Sequence, residues 1–522
     1  MSAPPESSLP RTPFAWLPFL WARVLFPAGP AAATAVRPWS LAVVVLLPAV
    51  LLWPCRGFEL FEPDEGRYAQ IALEMARTGS WLVPTLQGEP YLDKPPLFYW
   101  LVKLAYLALG PTPAAARVVP AACVQLTILA VYLIGRRGVG ERGALCAAML
   151  LTVAPGFTSV ARLLLLDGLL TLCVTLSLLC GCESVRAGRF RWGWWLAAAV
   201  ASGLGFLTKG PISEVLLFPP LMLAGRLSRS TARVGVRAAA SFALVVVLVN
   251  LPWYVGMGLR QPAFLSHFFW EHNVMRFAQP FDHLEPVWYY VPILAGGFLP
   301  GVLAGVLYLR GFARADGATA RSQAGGFWLL AGGWCVLFFS CAGSKLPTYI
   351  LPAFPPLALA LGEYLARSGW AASKGVRGTG VLCVFIMAGL HYAFVPWYAA
   401  ERSPLRNPGL VLPYVLDPAV PVVTSPRHVD SVAVAAGRAD FVLVRSKDVN
   451  QLIVDCHFRP RTVVLFTHDH SFAEFAALLP PGLRVTDHVD YRRKTRAAAV
   501  AGLTPWGLCD LAVVEPLRVQ AR

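Results

Sequence analysis

Long apolar segments separated by short polar ones run from residue 38 to residue 398. About eleven of them have the roughly 17–25 residues that a helix needs to cross a bilayer: 38–55, 114–135, 143–160, 167–185, 192–208, 211–225, 238–257, 287–309, 325–342, 348–366 and 378–398. A shorter apolar stretch, 95–110, opens with Pro95-Pro96 and carries Lys103, the pattern of a helix lying along the membrane interface. Beyond about residue 400 the period changes. Short β-rich runs at 421–424, 441–444, 462–466 and 484–489 alternate with polar segments such as 471–479, which predicts a small α/β domain outside the membrane. The expected architecture is an all-α polytopic membrane protein of about eleven spans, thirteen at most, with a C-terminal α/β domain. Its parts are a lead-in (1–37), a transmembrane domain (38–400) with a large first loop at 56–113 holding interfacial helices, and the C-terminal domain (401–522).

Composition supports this reading. Hydrophobic residues make up 56% of the chain and charged ones only 14%, against about 25% charged in a soluble domain. So few charges cannot cover an ordinary globular surface, so most of this surface faces lipid. Disordered chains, secreted disulfide scaffolds and cytosolic enzymes are excluded. The 11 cysteines fall mostly in apolar runs without a CxxC pair, as buried free thiols do. The net charge of +16 would suggest nucleic acid in a soluble protein, but here its placement matters more. Five alternate connections (136–142, 186–191, 226–237, 310–321, 367–377) hold 16 Lys/Arg in 48 residues; the intervening ones (156–166, 208–214, 259–286, 343–348) hold 5 in 52. Positive residues stay on the cytoplasmic side. The N-terminus, with Arg11, Arg23 and Arg37, is then inside, and its first apolar segment reads as a retained span, with no cleavage site behind it. Loop 56–113 and everything after about 400 face outward.

The outward loops collect the ionisable residues, which are costly near a membrane and mark function. Just past the first span stands Glu62-Pro63-Asp64-Glu65-Gly66-Arg67-Tyr68, then a helical pattern. It places Asp64 at a helix start, where the helix dipole favours a negative charge; a plain helix cap explains as much. On the same loop, Tyr91-Leu92-Asp93-Lys94-Pro95-Pro96 sets an ammonium beside the bilayer surface, fit for a lipid phosphate or for simple snorkelling. Asp167, an acid among leucines after Arg162, is costly unless paired; with Asp64 it makes a two-carboxylate site for general-base chemistry or metal coordination. Thr208-Lys209-Gly210-Pro211 and Gly343-Ser344-Lys345-Leu346-Pro347-Thr348-Tyr349 bring two more lysines to outward span ends, without a P-loop. Loop 259–286 adds His267, Glu271, His272, an outward Arg276 and His283 among aromatics; the i, i+5 spacing of its first two histidines makes a two-His metal site weak. His468-Asp469-His470 reads as a strand-end turn.

In this order the motifs resemble the polytopic GT-C glycosyltransferases, and within them the bacterial lipid A aminoarabinose transferases, relatives of the protein O-mannosyltransferases. The resemblance covers about 55–360, and its most specific part is Ser344-Lys345-Leu346-Pro347-Thr348-Tyr349. It implies transfer of a sugar, an aminoarabinose-like pentose, from an undecaprenyl phosphate carrier to lipid A or a related envelope glycolipid, at the periplasmic face of a bacterial inner membrane. By the same resemblance Asp64 and Asp167 would be the catalytic acids. Lys94, Arg67, Arg276 and Lys345 would hold the carrier phosphate, and Tyr68, Tyr91, Tyr349, Lys209 and Glu65 would line the pocket. Asp93 stands where the family commonly has Glu and would join His272 at a divalent metal, zinc or magnesium. Rival expectations are a relative using another sugar (mannose, galacturonate) or a protein acceptor, and a lipid-linked sugar flippase. The absence of duplicated halves, and charges gathered at one face, argue against the flippase.

Overall fold

The computed structural model describes residues 35–227, 234–275, 283–313, 322–468, 471–491 and 508–517. All eleven apolar segments fall on helices, and the chain is a multi-pass membrane protein. By length and composition six of the described helices are able to cross a membrane: Pro113–Leu133, Asp167–Val185, Val236–Arg260, Ala324–Cys341, Pro347–Arg367 and Lys374–Arg402. Two bent pairs bring the number to eight: Arg136–Thr152 with Pro155–Arg162, turned by 68°, and Tyr290–Gly297 with Gly301–Ala313, turned by 104°. Among the described residues the helices that meet this length and composition test number six to eight, beside the roughly eleven spans expected. Pro155 and Pro300 stand at the two breaks, where a missing N–H ends the helical ladder. Pro38–Leu52 has only 15 residues, about 22 Å at 1.5 Å per residue, short of a hydrocarbon core of about 30 Å.

Lipid offers no hydrophobic drive between helices, so close backbone approach has to hold the bundle. It is tightest where Phe354–Arg367 crosses Arg136–Thr152. A Cβ at Gly362 would meet Gly143 O at 2.4 Å and Ala147 N at 2.7 Å, so only glycine fits there. Around this seam Leu151, Ile128, Leu359 and Phe354 are fully buried.

The first loop carries an amphipathic helix, Asp64–Thr78, a two-residue β-hairpin of β1 (Thr85–Leu86) and β2 (Glu89–Pro90), and the helix Leu97–Leu109. The two helices pack through Tyr68 on Phe98 and Tyr99, with ring centroids 6.0 and 5.9 Å apart. Lys103 turns inward from this interfacial helix. It is buried, its ammonium donating to Ser80 O at 2.9 Å and lying 3.8 Å from the Trp81 ring centroid. Leu104, Leu107 and Leu109 on the other face are exposed, as an interfacial helix requires.

After residue 400 comes a five-stranded sheet of order β4-β3-β5-β7-β6. β3 (Val422–Ser425), β4 (Val442–Leu443) and β5 (Thr462–Phe466) are parallel; β7 (Asp510–Pro516) runs antiparallel to β5 and to β6 (Leu483–Asp490). β3 and β5 are buried throughout, covered by helices such as Asp430–Ala436 and Val449–Phe458, as parallel strands are. β7 has no counterpart among the runs read from the sequence.

Replacing Gly362 by Ala inserts a methyl group into backbone and should destabilise the bundle by about 1–3 kcal/mol, seen as a lower melting temperature in detergent. Gly378→Ala, where a Cβ meets nothing within 4 Å, should melt as wild type does.

Candidate active site at the loop face of the bundle

The site is built on one buried ion pair. Glu65 is 2% exposed and Arg117 fully buried. The guanidinium donates to both Glu65 oxygens, at 3.0 and 2.7 Å, to the carbonyls of Arg56, Phe58 and Glu59, and stacks on the Phe58 ring. Glu65 also accepts the N–H groups of Phe61 at 2.8 Å and Leu164 at 2.5 Å. Such fork-to-fork pairing satisfies a buried charge at a fixed angle. It joins the strap after the first span, the helix Asp64–Thr78 and the segment leading into Asp167. Glu65, read from the sequence as a pocket residue, has its acceptors consumed by this scaffold, so its role is corrected to structural.

Asp64 and Arg67 stand one helical turn apart on that helix and pair at 3.4 Å, Asp64 staying half exposed. Arg67 hydrogen-bonds Tyr91. Burial opposes its charge, but Tyr91, Tyr68 and Asp64 raise its pKa above the ordinary guanidinium value, so it is a permanent cation. Burial pushes up both the Tyr68 and the Tyr91 phenols, with Asp64 adding to each and Asp167 reaching Tyr68. Asp64, Arg67, Tyr68, Tyr91 and Asp167 therefore share one electrostatic neighbourhood.

Asp167 opens the helix Asp167–Val185 and is held by the Lys209 ammonium at 2.5 Å. That ammonium also lies 4.4 Å from the Tyr349 ring centroid. Beside it opens a cavity of about 520 Å³, lined by Lys94, Lys209, Asn273, Ser344 and Tyr349 at its polar places and otherwise by Phe268, Phe269, Ile212, Val215, Phe338 and Phe339. Two ammonium-bearing side chains thus meet an apolar chamber. Lys345 belongs elsewhere: it is 4% exposed and its ammonium donates to the carbonyls of Glu285 and Ala342 at 2.8 and 2.6 Å. The phosphate role expected for it gives way to pinning the 283–285 segment. Arg276 and the side chain of His272 lie outside the described residues.

Asp93 pairs with His267, whose Nε2 is 3.2 Å from Asp93 Oδ1 and whose Nδ1 is 2.8 Å from Glu271 Oε2. Partial burial opposes the imidazolium, but Asp93 and Glu271 outweigh it and raise the His267 pKa. The ring stands between the carboxylates, so the three do not converge on one point. Among the described residues no group of three or more His, Cys, Asp or Glu side chains is arranged to hold a metal. The set Asp93, His267 and Glu271 thus does not form a metal site, while the expected pairing of Asp93 with His272 lies outside the described residues.

The C-terminal domain docks on the helix Asp64–Thr78 and the residues just before it. The main-chain N–H of Ser431 donates to Glu62 Oε1 at 2.6 Å, while Gln70 and Arg77 donate to the carbonyls of Arg438 and Gly437, both at 2.7 Å. A Cβ at Gly66 would strike Glu62 Oε1 and Ser431 N at 2.7 Å each, so the glycine between Glu65 and Arg67 is what admits the domain. Burial, then the neighbouring Asp430, pushes the Glu62 carboxyl up to about 8; Arg67 opposes this, and burial likewise raises Asp430 and lowers His428.

The family of dolichyl-phosphate-mannose-protein mannosyltransferases matches residues 93–253. An undecaprenyl phosphate-α-4-amino-4-deoxy-L-arabinose arabinosyl transferase of Pseudomonas fluorescens is 33% identical over 398 residues, 73% of this chain and 70% of that protein. The chain belongs to this arabinosyl transferase family. Against the relatives of that name from Edwardsiella ictaluri and Sodalis glossinidius, 33% and 35% identical, it spans just under two thirds of their length, 65% and 66%. The fold agrees with the crystal structure of ArnT from Cupriavidus metallidurans bound to undecaprenyl phosphate, at TM-score 0.71 and 19% identity over 92% of this chain and 98% of that one. An oligosaccharyltransferase, AglB from Archaeoglobus fulgidus, is more distant, at TM-score 0.54 and 15% identity over 82% and 69%.

One residue unremarked in the sequence proves central here. Arg117 lies in an apolar run and offers no local signal. The pair of His267 with Glu271 is legible as an i, i+4 spacing, but its tie to Asp93 spans 174 positions.

Docking of the C-terminal domain should depend on pH. The docked state holds a proton on Glu62 that an exposed carboxyl, with its ordinary value of 4.5, has already released. Docking is therefore firmest below about 4.5, weakens through about 8, and above that carries the full cost of a buried charge. Hydrogen exchange in Asp430–Ala436, corrected for intrinsic rate, should rise over that range in wild type and rise much less in Glu62→Gln, where only Asp430 and His428 still titrate. A profile unchanged by the substitution would remove Glu62 as the cause.

Proposed function

We propose that the protein is a membrane glycosyltransferase that moves an aminoarabinose-like sugar from undecaprenyl phosphate to lipid A or a related envelope glycolipid on the periplasmic side of a bacterial inner membrane. The observation that carries this reading is the placing of Lys94 and Lys209 at an apolar cavity of about 520 Å³, beside Asp167. A polyprenyl phosphate needs such a place: cationic groups for the phosphate and an apolar chamber for the first isoprene units. The relatives' names supply the sugar and the carrier.

The reaction breaks the bond between sugar C1 and the phosphate oxygen, whose electron pair stays with the carrier, while an acceptor oxygen bonds C1. Charge builds on the leaving phosphate, and fixed cations stabilise it there without reorganisation. Lys94, Lys209 and Arg67 are the cations proposed for this, with Arg276 as a fourth expected by resemblance. Lys209 is already turned by Asp167, which sets where its ammonium stands. An acceptor that is a lipid phosphate is an oxyanion and needs no deprotonation; Asp64 then orients the sugar, its carboxylate facing the amino group. For a hydroxyl acceptor Asp64 takes the proton. Tyr68, Tyr91 and Tyr349 wall the site.

Asp64→Asn and Lys94→Ala should each lower transfer by at least about 100-fold while melting like wild type. The assay incubates purified protein with a short-chain polyprenyl phosphate aminoarabinose and lipid A and weighs the products. Full activity in both variants refutes the assignment. The sidedness is tested separately: a cysteine at position 94 should react with an impermeant maleimide from the periplasm, and labelling from the cytosol alone overturns the orientation.

A further inference from the structure

The hairpin of β1 and β2 turns on two residues, Gln87 and Gly88, with φ of +54° and +81°. A two-residue turn with both φ positive favours Asn-Gly or Gly-Gly, whose backbones reach the left-handed region with little strain. Glutamine there carries a penalty that its side chain must offset. Its Nε2 donates to Asp430 Oδ1 at 2.9 Å and its Oε1 accepts the N–H of Phe441 at 3.2 Å. Asp430 and Phe441 belong to the C-terminal domain and are 1% and 2% exposed. The turn's main chain meanwhile faces the other way: the N–H groups of Gln87 and Gly88 donate to the buried Glu74 at 2.7 and 3.2 Å, and Glu74 also accepts from Gln70. One residue is thus bonded to the helix Asp64–Thr78 through its backbone and to the C-terminal domain through both ends of its amide.

The segment beyond the hairpin gives this clasp its reach. Tyr91 N–H donates to Pro84 O at 2.9 Å, closing the hairpin base, and the next three residues end in Asp93, paired with His267, and Lys94 at the cavity. From the strained turn and its bonds we infer that Gln87 is a positioning residue: it couples the docked C-terminal domain to the Tyr91–Lys94 turn and so sets where Lys94 stands. Through Gln87 the C-terminal domain is a working part of the site. The consequence for carrier binding rests on the function proposed above; the coupling itself does not.

The test uses Gln87→Gly in the full chain, a change that relieves the strained φ and leaves the hairpin at least as stable while deleting both side-chain bonds. Hydrogen exchange should rise about tenfold in both Tyr91–Lys94 and Asp430–Ala436, without a lower melting temperature of the bundle. Asp430→Ala should do the same, and the double variant should be no worse than the stronger single one, since both remove one link. Asp430→Asn keeps the accepting oxygen and should behave as wild type. In turnover, the donor KM should rise about tenfold with kcat changing much less. Unchanged exchange in Gln87→Gly, or additive effects in the double variant, overturns the coupling. Raised exchange supports it even if wild type transfers no sugar, a result that would sink the transferase reading alone. Raised exchange with an unchanged donor KM overturns the link to Lys94.

Discussion

A carboxylate and a guanidinium removed from water, Glu65 and Arg117, set the geometry on which the loop face of this protein depends. Neither is stable there alone, since an unpaired charge in a low-dielectric interior costs several kcal/mol. Their mutual hydrogen bonds leave room for only a few further partners, and those partners are backbone groups of two separate segments, the strap 56–61 and Leu164. The pair therefore works as a joint. It fixes the start of the helix that presents Asp64 and Arg67, and through Leu164 it fixes the chain three residues before Asp167. Two acids far apart in sequence reach one neighbourhood because a third, between them in function but not in chemistry, holds both segments.

Around that joint the charges are distributed by task. Those that act on a ligand in the proposed reaction stay half exposed or line the cavity, as Asp64, Arg67, Lys94 and Lys209 do. Those that shape the chain are buried and tied to backbone, as Arg117, Lys103 and Lys345 are. Burial and partner count, not residue type, separate the two groups. The C-terminal domain joins this arrangement through Glu62, Gln70, Gln87 and the close approach that Gly66 permits, so it docks on the same helix that carries Asp64 and Arg67.

Much of the fold is legible from hydrophobic pattern, because every apolar run became a helix. The bends are not, since Pro155 and Pro300 turn two runs into bent pairs that run length alone does not show. The parallel strands β3 and β5 announce themselves as continuous apolar runs; β7 does not. At the site, local motifs single out Asp64, Arg67, Lys94, Asp167, Lys209 and Tyr349 one by one. They fail where the deciding partner is distant in sequence. Glu65 sits inside the same motif as Arg67, yet Arg117 makes it structural. Lys345 reads as an interfacial cation, yet two carbonyls absorb its charge. Asp93 pairs with His267, 174 positions away, a contact no local motif announces. One-dimensional spacing carries helix-face information over three or four residues and none about such long-range partners.

On the proposed function, ligand affinity at the cavity should depend in part on a residue that touches no ligand. Equilibrium binding of a short-chain polyprenyl phosphate to folded Glu65→Gln protein measures this most directly. The neutral amide keeps the size of Glu65 but cannot pair both oxygens with Arg117, so affinity should fall by about tenfold or more, roughly 1.4 kcal/mol, with Lys94, Lys209 and Arg67 all present. Wild-type affinity in a correctly folded Glu65→Gln protein would contradict the claim.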